Sequence, residues 1–236
     1  MTMFPMMWWW DPTYILVIIG LLISGWASAY VNSTFRKYDQ YTSRSGATGT
    51  DAAAYILRSA GIHDVQIKEI AGNLTDNYNG KDKTLNLSQS TAESTSVAAI
   101  GVAAHECGHA VQDKVHYWPM ALRTGIVPVA NLGSTLSLPI IILGVIMGMN
   151  QTLIDIGIWA FGLALLFQLV TLPVEFNASH RAVNILASSP LISSDEVVMV
   201  KKVLFAAALT YVAAALATFL QLLRLIILFG GNRNNN

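Results

Sequence analysis

Residues 126–149 read IVPVANLGSTLSLPIIILGVIMGM, twenty-four residues without a single charge. About 20 apolar residues in a helix cross the hydrocarbon core of a bilayer. Three other runs share this character. Residues 14–30 are uncharged, residues 152–174 carry only Asp155, and residues 203–229 carry only Arg224. Buried helices of a soluble protein rarely lack a polar face over such lengths, so each run is read as a transmembrane helix. Only Asn150 and Gln151 separate the second run from the third, which folds residues 126–174 into a tight antiparallel hairpin.

The composition agrees. Of 236 residues, 53% are hydrophobic and 12% are charged, against about 25% charged in an ordinary soluble domain. Mean hydropathy is +0.49. Fourteen basic and fourteen acidic residues cancel, so no basic surface argues for nucleic acid. One cysteine, Cys107, excludes a disulfide framework. Trp8, Trp9 and Trp10 before the first run suit the headgroup belt, and Asp11-Pro12 suits a helix N-cap followed by proline. Ala27-Ser28-Ala29 resembles a signal-cleavage site, but no Lys or Arg precedes the run. A signal peptide has a basic n-region, so residues 14–30 are read as a retained anchor.

Basic residues set the orientation. Residues 31–125 hold nine, with Arg36, Lys37 and Arg44 just after the first run and Arg123 just before the second; residues 175–202 hold Arg181, Lys201 and Lys202. The positive-inside rule then puts both segments in the cytoplasm and both termini outside.

Residues 46–123 are able to form a small polar domain. The pattern predicts a helix over 52–60, N-capped by Thr50 or Asp51, and strands over 65–70 and 84–87. Residues 73–83, rich in Asn, Asp and Gly, read as loop and turn. Ser90-Thr91-Ala92-Glu93 suits a capping box opening a long helix to about Asp113. The Asn-rich stretch 232–236 reads as a solvated end.

That long helix carries His105-Glu106-Cys107-Gly108-His109, a His-Glu-x-x-His pattern. Residues four apart share a helix face, so both imidazoles can meet one ion. Neutral imidazole suits zinc, and Glu106 beside it suits a general base. Small and apolar neighbours bury the helix, so two His and one Glu within it need partners. A catalytic zinc usually takes a third protein ligand. His116 lies seven residues after His109, one more than the metzincin spacing, and Gln112 stands where that pattern has Gly. His63 sits in a turn and suits the surface better. Glu175 is the stronger candidate: it follows two crossings that return the chain to the side of the His pair, and a carboxylate at a membrane boundary calls for a reason. Cys107 points away from the His face and reads as packing.

The His-Glu-x-x-His helix, a membrane hairpin and then Glu175-Phe176-Asn177-Ala178-Ser179 resemble the gluzincin arrangement of the HtpX and CAAX-prenyl protease families. The sequence is more similar still to the YugP-like neutral zinc metallopeptidases of bacterial membranes. Asp-Pro-Thr-Tyr at 11–14, Ser-Thr-Phe at 33–35, Gly-Val-Ala-Ala-His-Glu at 101–106, Leu-Pro-Val-Glu-Phe-Asn-Ala-Ser at 172–179 and Ala-Leu-Thr-Tyr-Val-Ala-Ala-Ala at 208–215 carry the likeness. The resemblance implies a zinc-dependent membrane endopeptidase, one Zn2+ per chain, with His105, His109 and Glu175 as ligands and Glu106 as general base. It departs from the HtpX pattern at Ser179, where that family has Asp, and Asn77 and Gly80 depart from the YugP-like form of the loop at 74–80. Asn177 and Ser179 are candidates to orient the ligands. His180, Arg181, Tyr78 and His116 are candidates to stabilise the oxyanion.

The expected fold is a mainly α membrane protein with about four transmembrane helices and a small cytoplasmic α+β zincin-like domain. The anchor covers 14–30, the metallopeptidase domain 31–123, the hairpin 126–174, a cytoplasmic segment with the third ligand 175–202, and the last helix 203–229. Its partners are the lipid bilayer and a peptide or protein substrate, membrane proteins included, whose extended backbone could add to the strand at 84–87. Two other readings compete. One is a membrane scaffold or chaperone with a structural zinc, against which Glu106 argues. The other is a transporter whose second membrane helix is interrupted by Pro128 and Pro139.

Overall fold

A computed structural model describes residues 11–230; Trp8–Trp10 and the Asn-rich stretch 232–236 lie outside them. Most of the chain is helical. In order the elements are α1 (Tyr14–Asp39), α2 (Gly49–Ser59), β1 (Gln66–Ile70), β2 (Asn77–Asn79), β3 (Thr84–Ser88), α3 (Gln89–Ala92), α4 (Val97–Lys114), α5 (Trp118–Ile146), α6 (Gln151–Ala187) and α7 (Ser194–Gly230). Helices α1, α5, α6 and α7 are long and apolar enough to cross a membrane. The chain forms two compact units. One comprises the described parts of Met1–Ala27, Arg123–Val170 and Tyr211–Asn236; the other comprises Ser28–Leu122 and Thr171–Thr210.

The first unit is built from apolar helices whose large side chains remain outward. Trp159 is 77% exposed and Ile146 76%, the reverse of a soluble protein and the natural state of a helix facing lipid. The hairpin α5–α6 packs through glycines. A Cβ on Gly133 would lie 2.7 Å from the Ala160 carbonyl oxygen, and one on Gly157 would lie 2.8 Å from that of Ser137. Small residues at these points let the two backbones approach. Pro128 and Pro139 lie inside a continuous α5, so they do not interrupt it, contrary to the transporter reading. Asp11 caps α1, accepting from the Thr13 N–H at 3.0 Å and the Thr13 hydroxyl at 2.6 Å. Arg224 of α7 reaches Asp11 at 3.2 Å and lies 4.1 Å over the Tyr14 ring.

The second unit holds a three-stranded sheet in the order β1-β3-β2. β1 runs parallel to β3, pairing Ile67 with Leu85, and β2 runs antiparallel to it, pairing Tyr78 with Leu85. Leu85 and Leu87 of β3 join Ile56, Ile100, Ala104, Cys107, Leu186 and Val200 in one core, all fully buried. α4 is therefore wrapped by α2, β3, α6 and α7, and its alanines fit that crowding.

Several expectations change here. β2 lies within residues 73–83, which read as loop and turn. It pairs with Thr84–Asn86 along one edge of β3 and β1 takes the other, so a substrate strand could not add along Thr84–Asn86. The helix expected over 52–60 starts at Gly49, and Thr48 with Asp51 forms its capping box. The helix expected from 90 is broken. α3 ends at Ala92, and α4 starts after Ser96, whose hydroxyl accepts from Ala99 N–H at 3.1 Å. The backbone between them is held elsewhere: Gly49 N–H donates to Ser94, Ser43 N–H to Thr95, and Val97 N–H to Tyr41. α6 does not end near Val174 but continues to Ala187, so Glu175 sits inside a helix. α7 likewise starts at Ser194 rather than at 203.

Candidate metal centre

α4 and α6 build the site, and both parts lie in the second unit. Four-residue spacing brings His105 and His109 to one face of α4, their ring centroids 4.8 Å apart and nearly perpendicular. The same spacing on α6 aligns Glu175 with Ser179. The helices approach closely at Gly108, where a Cβ would fall 2.4 Å from the Ala178 carbonyl oxygen. The carboxylate thereby reaches both rings. Glu175 Oε2 lies 3.2 Å from His105 Nε2 and 3.5 Å from His109 Nε2. One donor atom from each of His105, His109 and Glu175 lies within 4.8 Å of the others. Ligand atoms bound tetrahedrally at zinc distances stand about 3.3 Å apart. The two carboxylate–imidazole distances lie close to that value, and two imidazoles with a buried carboxylate are donor types that zinc takes.

The other ring nitrogens are also held. His105 Nδ1 lies 3.1 Å from Ser179 Oγ, and His109 Nδ1 lies 3.0 Å from Gln112 Oε1. Gln112, fully buried, donates from Nε2 to the Val174 carbonyl at 2.8 Å and to Asn177 Oδ1 at 3.0 Å. Arg181 Nε donates to the same Asn177 oxygen at 2.7 Å. Sequence reasoning passed over Gln112. The available signal was an amide three residues after His109 in an otherwise apolar helix.

Glu106 is half-buried and makes no hydrogen bond or ion pair among the described residues. Burial drives the His109 pKa down, but hydrogen bonding to Glu175 and the charge of Glu106 outweigh it and leave the pKa above the ordinary value. Cys107 is fully buried beside the Ala53 carbonyl, and burial pushes its thiol well up.

The remaining candidates fall outside the cluster. His116 and His63 are exposed, and His116 is not among the grouped ligand atoms. His180 is exposed and lies 2.9 Å from Asn184. The Tyr78 hydroxyl donates to Asp113 at 2.7 Å, and Lys83 pairs with the same carboxylate. Burial and the neighbouring Asp113 raise the Tyr78 pKa. With its hydroxyl donating to Asp113, Tyr78 clamps β2 to the end of α4. Arg181 is half-buried, 5.9 Å over the Tyr117 ring.

The chain is 43% identical over 221 residues to the "Putative membrane protease YugP" of Bacillus subtilis (strain 168), covering 94% of this chain and 98% of that one. No solved structure matches. Residues 13–230 match the model of the family described as "Putative neutral zinc metallopeptidase", and the chain belongs to that family.

Proposed function

We propose that this chain is a zinc-dependent membrane endopeptidase with His105, His109 and Glu175 as its metal ligands and Glu106 as its general base. The observation that carries the reading is the meeting of three ligand-type atoms within 4.8 Å, beside a carboxylate with no partner of its own. A bound zinc supplies Lewis acidity toward the scissile carbonyl and an activated water. Glu106 takes the proton of the attacking water and returns it to the leaving amine. Ser179 and Gln112 hold the two rings so that Nε2 of each faces Glu175. The substrate is a peptide or protein, with membrane proteins included because four apolar helices keep the chain in the bilayer. A structural zinc in a scaffold would give Glu106 nothing to do.

The test is zinc per chain in detergent-purified wild type and Glu175→Ala. About one zinc in wild type and a clear loss in the variant are expected, since removing one of three protein ligands opens the site. Full occupancy in the variant would exclude Glu175 as a ligand.

The same reading puts residues 31–125 and 175–202 in the cytoplasm, by the distribution of Lys and Arg. A reporter active only outside the cytoplasm, fused after Asn236, is expected to be active and a cytoplasm-active one silent. The opposite result would reverse the orientation.

A further inference from the structure

We infer that Gln112 is a positioning residue that holds a hydrogen on His109 Nδ1 and so leaves Nε2 as the nitrogen a metal takes. The inference rests on the metal-site reading above and adds to it a cause for the ring's orientation.

The argument is one of hydrogen-bond polarity. A side-chain amide has one end that only donates and one that only accepts. Gln112 turns one end to the Val174 carbonyl at 2.8 Å and to an Asn177 side-chain atom at 3.0 Å. The first is a backbone oxygen and accepts only. The second faces Arg181 Nε at 2.7 Å, and a guanidinium donates only, so that atom is the Asn177 oxygen. Both neighbours require the NH2 end of Gln112, which leaves its oxygen 3.0 Å from His109 Nδ1. That oxygen cannot donate, so Nδ1 carries the hydrogen. Nε2, 3.5 Å from Glu175, is then the ring nitrogen left for a metal, which displaces any proton shared there with the carboxylate. The amide is fully buried, so water does not compete for these bonds.

His105 is held differently. Its Nδ1 faces the Ser179 hydroxyl at 3.1 Å, and a hydroxyl both donates and accepts. Ser179 fixes the place of the ring without fixing its tautomer. The two histidines are therefore unequal: His109 is set by a chain of one-way bonds running from Arg181 through Asn177 and Gln112, and His105 adapts.

The experiment measures zinc affinity by chelator competition on the full-length, detergent-purified protein. Metal-free melting midpoints and the visible absorption of the cobalt-loaded forms are read beside it. Gln112→Met keeps the volume and removes the acceptor, and its zinc affinity is expected to fall about 10–100-fold, the usual effect of losing a partner behind a metal-bound histidine. Gln112→Glu keeps an acceptor toward Nδ1 and is expected to retain most of the affinity and a wild-type cobalt spectrum, even where its midpoint falls. Wild-type affinity in Gln112→Met would overturn the inference. Equal losses in both variants would also overturn it, because the amide would then serve packing alone. If Gln112→Met does not accumulate, Gln112→Asn, whose shorter arm draws the acceptor away from Nδ1, gives the same readout: a loss of about tenfold or more supports the inference, and no loss overturns it. A wild type that binds no zinc would sink the metal-site reading itself and this inference with it.

Discussion

Glu106→Gln is expected to abolish peptide hydrolysis while leaving the zinc in place. The substitution keeps the shape of the side chain and removes its ability to accept a proton. A positioned general base contributes about 10²–10⁴ in rate, so turnover of a peptide or casein substrate should fall by that factor. Metal content should not change, because Glu106 makes no hydrogen bond to either histidine and is not among the three grouped ligands. Zinc per chain and activity are read on the same preparation. Undiminished activity would remove Glu106 from the chemistry. Loss of zinc together with activity would give it a structural part in the site.

Gly108→Ala is expected to disable the site through the backbone. The added methyl would fall 2.4 Å from the Ala178 carbonyl oxygen, and neither backbone can turn aside as a side chain would. Helices α4 and α6 must separate by about 1 Å to restore an ordinary contact. Such a displacement far exceeds the roughly 0.2 Å tolerance of metal–ligand distances, and misplacements of about 1 Å can cost about 10²-fold in rate. Zinc affinity and activity should both fall by about that factor or more, with a destabilisation of about 1–3 kcal/mol from overpacking. Gly101→Ala is the control on the same helix. Its methyl would meet a Val200 methyl at 3.3 Å, a side-chain contact that a shift of a few tenths of an ångström would relieve rather than a clash with backbone. Wild-type zinc affinity in Gly108→Ala, or an equal loss in Gly101→Ala, would show that the close approach at Ala178 does not set the site.

The four apolar runs and the His-Glu-x-x-His spacing were legible because they depend on local pattern. An uncharged run states its preference for lipid residue by residue, and a four-residue interval becomes one helix face as soon as the helix forms. What escaped was set by distant partners. Asn77-Tyr78-Asn79 carries little strand character of its own and becomes β2 through pairing with Thr84, Leu85 and Asn86. The capping box at Ser90–Glu93 did not open α4, because the backbone of residues 94–97 is held by Tyr41, Ser43 and Gly49. Glu175 was expected to emerge from the membrane helix at its boundary. The helix itself runs on past Glu175 to Ala187, where the apolar pattern stops marking it because the buried face turns toward α4. Gln112 could be noticed as an amide among alanines, but its partners Val174 and Asn177 lie more than sixty residues onward in the chain.

Cys107 stands between the two histidines in sequence yet turns its sulfur to the Ala53 carbonyl, on the far side of α4. A thiol reacts as the thiolate, and burial keeps this one protonated and out of reach. The grouped donor atoms are nitrogen and oxygen alone, so a soft ion such as Cu(I) lacks there the sulfur ligand it favours. Oxidants and thiol-directed reagents likewise find no handle at the centre, and the chain carries no other cysteine.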